Sequence, residues 1–318
     1  MDSKRRSLPA VLAEKYLRLK GWKKKYVEGG YEKYISTLDN KNYTLPKMPF
    51  KSTVKKFEFY GSDVYTMSKT DDPDCIIVYL HGGAYTGQPV KFHWKGCDRI
   101  VQATNAQVIM PVYPLAPHGT WKETYDLLQM LYGKIILNTG KDVIFMGDSS
   151  GGGLILGFCE FLSKTSLPQP SKIIALSPWL DVTMSNARIP DYLENDPMIA
   201  CYGAIKMGKL WAGDLDTKDY RISPIYGNVE GLHDVYLFVG TREALYPDVT
   251  DFYQKLQDNN VISKIYIGEG MTHVFPLYPV PEGKRAMKEI CRIINNYTLQ
   301  AEQPQGLRYG APERKELI

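Results

Sequence analysis

From about residue 54 onward, short runs of apolar β-formers alternate with longer stretches of helical periodicity. No other feature constrains the fold as strongly, because such alternation is satisfied by helices packed on a largely parallel sheet. The runs are 54–60 (VKKFEFY), 63–67 (DVYTM), 75–80 (CIIVYL), 107–113 (QVIMPVY), 142–147 (DVIFMG), 172–177 (KIIALS), 234–240 (DVYLFVG) and 262–268 (ISKIYIG). The first two alternate polar with apolar residues and stand close enough for a hairpin. CIIVYL and DVIFMG are apolar almost throughout, as expected of strands covered on both faces. Helical patterns fill the gaps near 89–104, 121–138, 152–164, 246–258 and 283–297. The reading is α/β, with eight strands that begin antiparallel and continue parallel.

Two segments fall outside this rhythm. Residues 1–50 suggest two short amphipathic helices around Gly29-Gly30, and residues 183–221 combine an irregular stretch with a helix near 198–211. Both are expected to cap one end of the sheet, leaving 51–182 and 222–300 as the core. Residues 301–318, with Pro304, Gly306, Gly310 and Pro312, lack periodicity and read as a tail, either free or an arm onto a second copy.

Charge is concentrated at the start: residues 1–25 hold nine Lys or Arg against Asp2 and Glu14, in a chain whose net charge is only +4. Leu8, Val11, Leu12, Tyr16 and Leu19 recur at helical spacing there, which favours an ordinary amphipathic helix with a solvated basic face over a nucleic-acid or anionic-membrane patch. Glu14, Lys15, Arg18 and Lys20 break the apolar stretch a secretion signal needs. The longest apolar run, Cys75 to Leu80, is far shorter than the roughly 18 residues of a membrane span. Five widely spaced cysteines form neither a disulfide framework nor a metal-binding pattern, so reduced thiols, a cytoplasmic setting and no metal are expected, with Cys75 and Cys159 as core residues.

The chemistry centres on Gly147-Asp148-Ser149-Ser150-Gly151, a GxSxG match directly after a buried strand and directly before a helix. A chance match in such a composition is expected about 0.1 times per chain, and the strand-turn-helix setting narrows it further. A serine hydroxyl needs a neighbouring base, and the base needs an acceptor on its other nitrogen. Of the five histidines, His273 stands in the loop between the last strand and the last helix. His81 follows the third strand, His93 and His118 lie in helix or loop, and His233 precedes the seventh strand. Glu243, close to the end of the seventh strand, is the preferred acid. Asp248 competes, but it falls at a helix start, where an acidic residue commonly serves the helix itself. The order Ser149, Glu243, His273 is that of α/β-hydrolases. His81-Gly82-Gly83-Ala84-Tyr85 offers the N–H groups of Gly82 and Gly83 to an oxyanion, with Ser150 N–H completing the hole and His81 holding the loop.

In HGGAY (81–85) and GDSSGGG (147–153), together with 113–117 (YPLAP), 177–181 (SPWLD) and 223–226 (SPIY), the chain resembles the hormone-sensitive-lipase-like carboxylesterases of the α/β-hydrolase superfamily over about 54–298. The resemblance implies an α/β-hydrolase fold: an eight-stranded, mostly parallel sheet flanked by helices, with a helical cap built from the N-terminal helices and an insertion. The chain departs from the family pattern at Ala84, where the family has a fourth-position glycine, at Pro114, where it has arginine, and at Glu243-Ala244-Leu245, where it more often has Asp-Pro-Leu.

The expected activity is hydrolysis of short acyl esters, a small-molecule substrate, through an acyl-enzyme on Ser149, without cofactor. An amidase or formamidase would share the triad, and a non-catalytic receptor on the same fold would be expected to lack a triad member. Tyr85 and Trp179 are the expected pocket residues, their bulk favouring short acyl groups.

Overall fold

A computed structural model of the chain describes residues 6–38 and 43–295; the sequence-based tail, 301–318, lies outside the described residues. The eight strands are β1 (Thr53–Phe59), β2 (Ser62–Ser68), β3 (Cys75–Leu80), β4 (Gln107–Pro111), β5 (Asp142–Asp148), β6 (Lys172–Leu176), β7 (Val235–Gly240) and β8 (Ser263–Gly268). They form one sheet in the order β1-β2-β4-β3-β5-β6-β7-β8. β2 pairs antiparallel with β1 and β4, and every pairing from β4 through β3 to β8 is parallel.

The period of two along each central strand divides the core into two layers. Ile76, Val78 and Leu80 of β3 join Val143, Phe145, Ile173 and Ala175 on one face, while Cys75, Ile77 and Tyr79 join Ile144, Met146, Ile174 and Leu176 on the other. All six residues of β3 are buried. Helices α3 (Lys91–Thr104) and α9 (Pro281–Ile294) cover the second layer; α4 (Trp121–Leu131), α5 (Ser150–Leu162) and α8 (Tyr246–Asp258) cover the first. The helical pattern expected over 121–138 ends at Leu131, and the chain continues through a wider turn (Tyr132–Ile136) and a tighter one (Leu137–Thr139). Buried Tyr132 anchors this change, its ring edge-on to Phe145 and its hydroxyl donating to Pro168 O at 3.0 Å.

The two leftover segments contribute α1 (Leu8–Lys20), a 3₁₀ turn (Trp22–Tyr26) and α2 (Gly30–Ile35) before the sheet, and α6 (Pro190–Leu193) and α7 (Cys201–Ala212) between β6 and β7. α1 stops well before Gly29 because Gly21 takes a left-handed conformation, φ 65°, and its N–H donates to Leu17 and Arg18 carbonyls.

The amphipathic reading of α1 is overturned in its orientation. Leu8, Leu12, Tyr16 and Leu19 face solvent, whereas Ala10 and Glu14 are buried. The reason is ionic: Glu14 accepts from Arg6, from Arg18 Nε at 2.9 Å and from Arg242 at 3.1 Å, so the helix docks by its acid. Although partial burial opposes it, this triple pairing pulls the Glu14 carboxyl down to about 2. Ala10, small enough to approach closely, packs with Met271, Phe275 and Val280.

Candidate active site

In a mostly parallel α/β sheet, ligands bind beyond the carboxyl ends of the strands. That edge carries His81-Gly82-Gly83 after β3, Ser149 after β5, Ser177 after β6, Glu243 after β7 and His273 after β8.

Ser149 sits on the turn between β5 and α5 with φ 53° and ψ −122°, a strained region for any residue with a side chain. Its backbone is held on both sides, its N–H donating to Leu176 O at 2.8 Å and its carbonyl accepting from Gly153 N and Trp179 N. The turn can close only because residue 151 is glycine: a Cβ there would stand 2.0 Å from Leu80 O.

The structure brings the three sequence-selected side chains into one chain of hydrogen bonds. His273 Nε2 lies 2.9 Å from Ser149 Oγ, and His273 Nδ1 lies 2.6 Å from Glu243 Oε2. Burial by itself would depress the imidazole's pKa, but the Glu243 carboxylate outweighs it and, helped by Asp196 and Asp148 nearby, holds His273 above its ordinary value of about 6.5. Glu243 Oε1 accepts from Gly240 N at 2.6 Å and from Ser177 Oγ at 2.8 Å. Asp248 takes no part in this chain. It accepts from Asn186 Nδ2 at 2.9 Å, and burial pushes it up to about 7, so it does not serve the helix start as the fully ionised carboxylate expected of it.

Of the three N–H groups expected to face an oxyanion, that of Gly82 is already engaged. Gly82 N–H donates to Asp148 Oδ1 at 3.1 Å, which removes it from the set. A Cβ at residue 82 would stand 2.4 Å from Asp148 Oδ2, so glycine there serves close approach to the carboxylate. Asp148 also accepts from Tyr79 OH at 2.7 Å and lies 3.3 Å from His93 Nε2. Burial opposes its ionisation, yet these partners keep its pKa below the usual carboxylate value. The N–H groups of Gly83, Ala84 and Ser150 donate to no protein acceptor among the described residues. Ala84 and Tyr85 both adopt positive φ, 55° and 59°. The loop is tied down by Tyr113 OH to His81 O at 2.6 Å and by Tyr85 N to Ser150 Oγ at 3.3 Å. His81 is buried, stacked on Tyr113 and pushed down to about 3 by burial, which suits a neutral structural role.

The cleft at Ser149 has a volume of about 10 Å³ and is lined by Tyr26, Ala84, Trp179, Ile199, Ala204 and Leu245. That is room for about one water. Trp179 is thus at the cleft, whereas Tyr85 is withdrawn from it, its ring stacked 4.3 Å from that of Trp211 under α7. A larger groove of about 660 Å³ runs beyond Thr86 and Gly87 toward Lys56 and Asp63, but neither Ser149, Glu243 nor His273 lines it. The small cleft contains the strained serine.

Three side chains escaped the sequence reading. Ser177 donates to Glu243 and accepts from Val274 N at 2.9 Å, joining the acid loop to the histidine loop. Asp148 holds the glycine loop. Asp196, fully buried, accepts from Met198 N, Ile199 N and, at 2.8 Å, Ala244 N, pinning the 183–221 segment beside Glu243. Ser177 and Asp148 stand inside motifs visible in the sequence, but nothing local tells which partner each takes.

Residues 77–277 match a family model described as the alpha/beta hydrolase fold. The chain belongs to that α/β-hydrolase family. Among curated relatives of this chain, a triacylglycerol lipase of Mycobacterium tuberculosis is 29% identical over 195 residues, covering 61% of this chain and 40% of its own. The matched part of the chain thus spans less than half the length of that lipase. An esterase of Acinetobacter venetianus is 27% identical over 230 residues, covering 70% and 76% of the two chains. Of solved structures, a candidate esterase from Staphylococcus aureus superposes with TM-score 0.79 at 33% identity, covering 84% and 90%. The hormone-sensitive-lipase homologue EstE7 from a metagenome library does so with TM-score 0.77 at 25% identity, covering 91% and 98%. That neighbour is described as a homologue of hormone-sensitive lipase, the resemblance noted from the sequence motifs.

Proposed function

We propose that the protein is a serine carboxylesterase acting on short-chain acyl esters, with Ser149 as nucleophile, His273 as general base and acid, and Glu243 as the orienting acid. The observation that carries this reading is the continuous hydrogen-bonded line from a strained serine hydroxyl through His273 to a buried carboxylate. Ser149 Oγ attacks the acyl carbon while His273 Nε2 takes its proton. Glu243 accepts the Nδ1–H and stabilises the imidazolium. The oxyanion is received by the N–H groups of Gly83, Ala84 and Ser150, the free donors of the loop and the turn. Collapse of the tetrahedral intermediate breaks the ester C–O bond, and the departing alkoxide takes the proton from Nε2. Water then repeats the sequence to release the acid and restore the serine. Ester rather than amide cleavage is favoured by the names of the relatives.

In this reading residues 1–50 and 183–221 act as the cap, since Tyr26 from the first and Ile199 and Ala204 from the second line the cleft over Ser149. So confined a space favours small acyl groups, and each methylene that does not fit forfeits transition-state binding. Across p-nitrophenyl esters from acetate to laurate, kcat/KM is expected to peak at acetate to butyrate and to fall by at least about tenfold at laurate, at roughly 1–3 kcal/mol for a mismatched methylene. A maximum at laurate would refute the small-acyl reading, and faster turnover of matched anilides would make the protein an amidase.

The pH dependence carries its own expectation. His273 must be neutral to accept the serine proton, and its pKa is raised in the folded protein. The rate should therefore climb with pH through a single group above about 6.5, still rising past neutrality. A kcat/KM profile already flat by pH 6 would contradict the Glu243 pairing.

A further inference from the structure

The outward face of α1 is unusual for a helix resting on a protein core. Leu8, Leu12, Tyr16 and Leu19 are 70%, 54%, 57% and 87% exposed. At 3.6 residues per turn they fall within about 80° of one another, a single stripe along the helix. Trp22 and Val27, in and after the following turn, are exposed as well, so six of the ten exposed large hydrophobic side chains among the described residues lie between residues 8 and 27. Contiguous exposed apolar surface of this kind marks an interaction site.

Within α1 and the following turn the exposed charge is basic. Lys15 and Lys20 flank it, and Lys24 follows in the next turn, all three exposed. The one acid within residues 8–26, Glu14, is turned inward and consumed by Arg6, Arg18 and Arg242. The exposed acids nearby lie outside this segment: Glu28, two residues after the turn, and Glu194, whose carbonyl accepts from Arg18. An apolar stripe of Leu, Tyr and Trp bordered by lysines has the composition of a helix lying in the plane of a membrane surface, apolar side down and cations at the headgroups. A nucleic acid would be met by lysines and arginines without a leucine stripe between them.

We propose that α1 and the following turn form a docking surface for an anionic lipid interface, holding the protein peripherally. No helix among the described residues is long and apolar enough to cross a membrane. The inner side of the same helix packs on Met271, Phe275 and Val280, which bracket His273, and Tyr26 at the end of the turn lines the cleft. The inference concerns binding and stands apart from the esterase reading.

The test is flotation of the full chain with vesicles of phosphatidylcholine alone and of phosphatidylcholine with phosphatidylglycerol. Partition onto the anionic vesicles is expected to be at least about tenfold stronger and to weaken in high salt. Leu12→Gln/Leu19→Gln and Lys15→Glu/Lys20→Glu/Lys24→Glu should each lose that binding by about tenfold or more. Their melting temperature and their turnover of p-nitrophenyl acetate in solution should match the parent's, because every altered side chain faces solvent. Equal partition onto both vesicle types, or anionic binding retained by both variants, would overturn the proposal. So would a dimer in lipid-free sedimentation velocity that disappears in Leu12→Gln/Leu19→Gln, since the stripe would then belong to a second copy.

Discussion

Replacing Ser149 by alanine should reduce ester turnover by roughly 10⁵- to 10⁶-fold, the scale on which removal of an activated nucleophile acts. The fold should tolerate the change. The turn is held by Ser149 N–H and C=O, which alanine retains, and among the described residues the hydroxyl's hydrogen-bond partner is His273. Alanine must also adopt φ 53°, a strain the serine already carries. Substrate binding should persist, so KM measured on the residual activity, or the Kd of a non-hydrolysable ester analogue, should stay within a few-fold of the parent. An organophosphate should add one phosphoryl group to the parent at Ser149, as read by peptide mass spectrometry, and none to the variant. Labelling at Ser150, or a variant with a tenth of normal kcat, would remove Ser149 from the role.

Glu243→Gln should slow kcat by about 10⁴-fold while KM changes little, because glutamine can hold the imidazole in the wrong tautomer but cannot stabilise the imidazolium. That factor is about 5.4 kcal/mol of transition-state stabilisation. The comparison is Asp248→Asn, which should leave kcat within a few-fold, since Asp248 bonds to Asn186 and not to His273. Its stability should respond instead. A carboxyl whose folded pKa is raised to about 7 destabilises the fold increasingly as pH rises from about 4 to 7, and that penalty is fully present above 7. Asp248→Asn should therefore melt higher than the parent at pH 8, with a smaller difference at pH 5. If Asp248→Asn lost as much kcat as Glu243→Gln, Asp248 would be the acid.

The elements that were legible in the chain are those whose cause is local. CIIVYL and DVIFMG form β3 and β5 because uninterrupted apolar runs of that length are satisfied only between two covered faces. The serine turn was legible because Gly147 and Gly151 mark the backbone contacts that its closure requires. Glu243 and His273 could be selected since both follow strands ending at the same edge as Ser149. Parallel strands deliver their carboxyl ends to one side whatever the loops do.

What stayed illegible depends on partners far away in sequence. Gly82 was a reasonable oxyanion donor until Asp148, sixty-six positions on, took its N–H. Tyr85 and Trp179 are equally bulky aromatic residues beside the motifs, yet Trp211 claims one ring for the core and leaves the other at the cleft. The periodicity of α1 was correctly helical and its buried face was inverted, because Arg242, from beyond β7, reaches Glu14 across 228 positions. Helical spacing states which residues share a face. Which face turns inward is decided by what the rest of the chain presents to it: here, guanidinium groups that a buried carboxylate satisfies and a row of leucines could not.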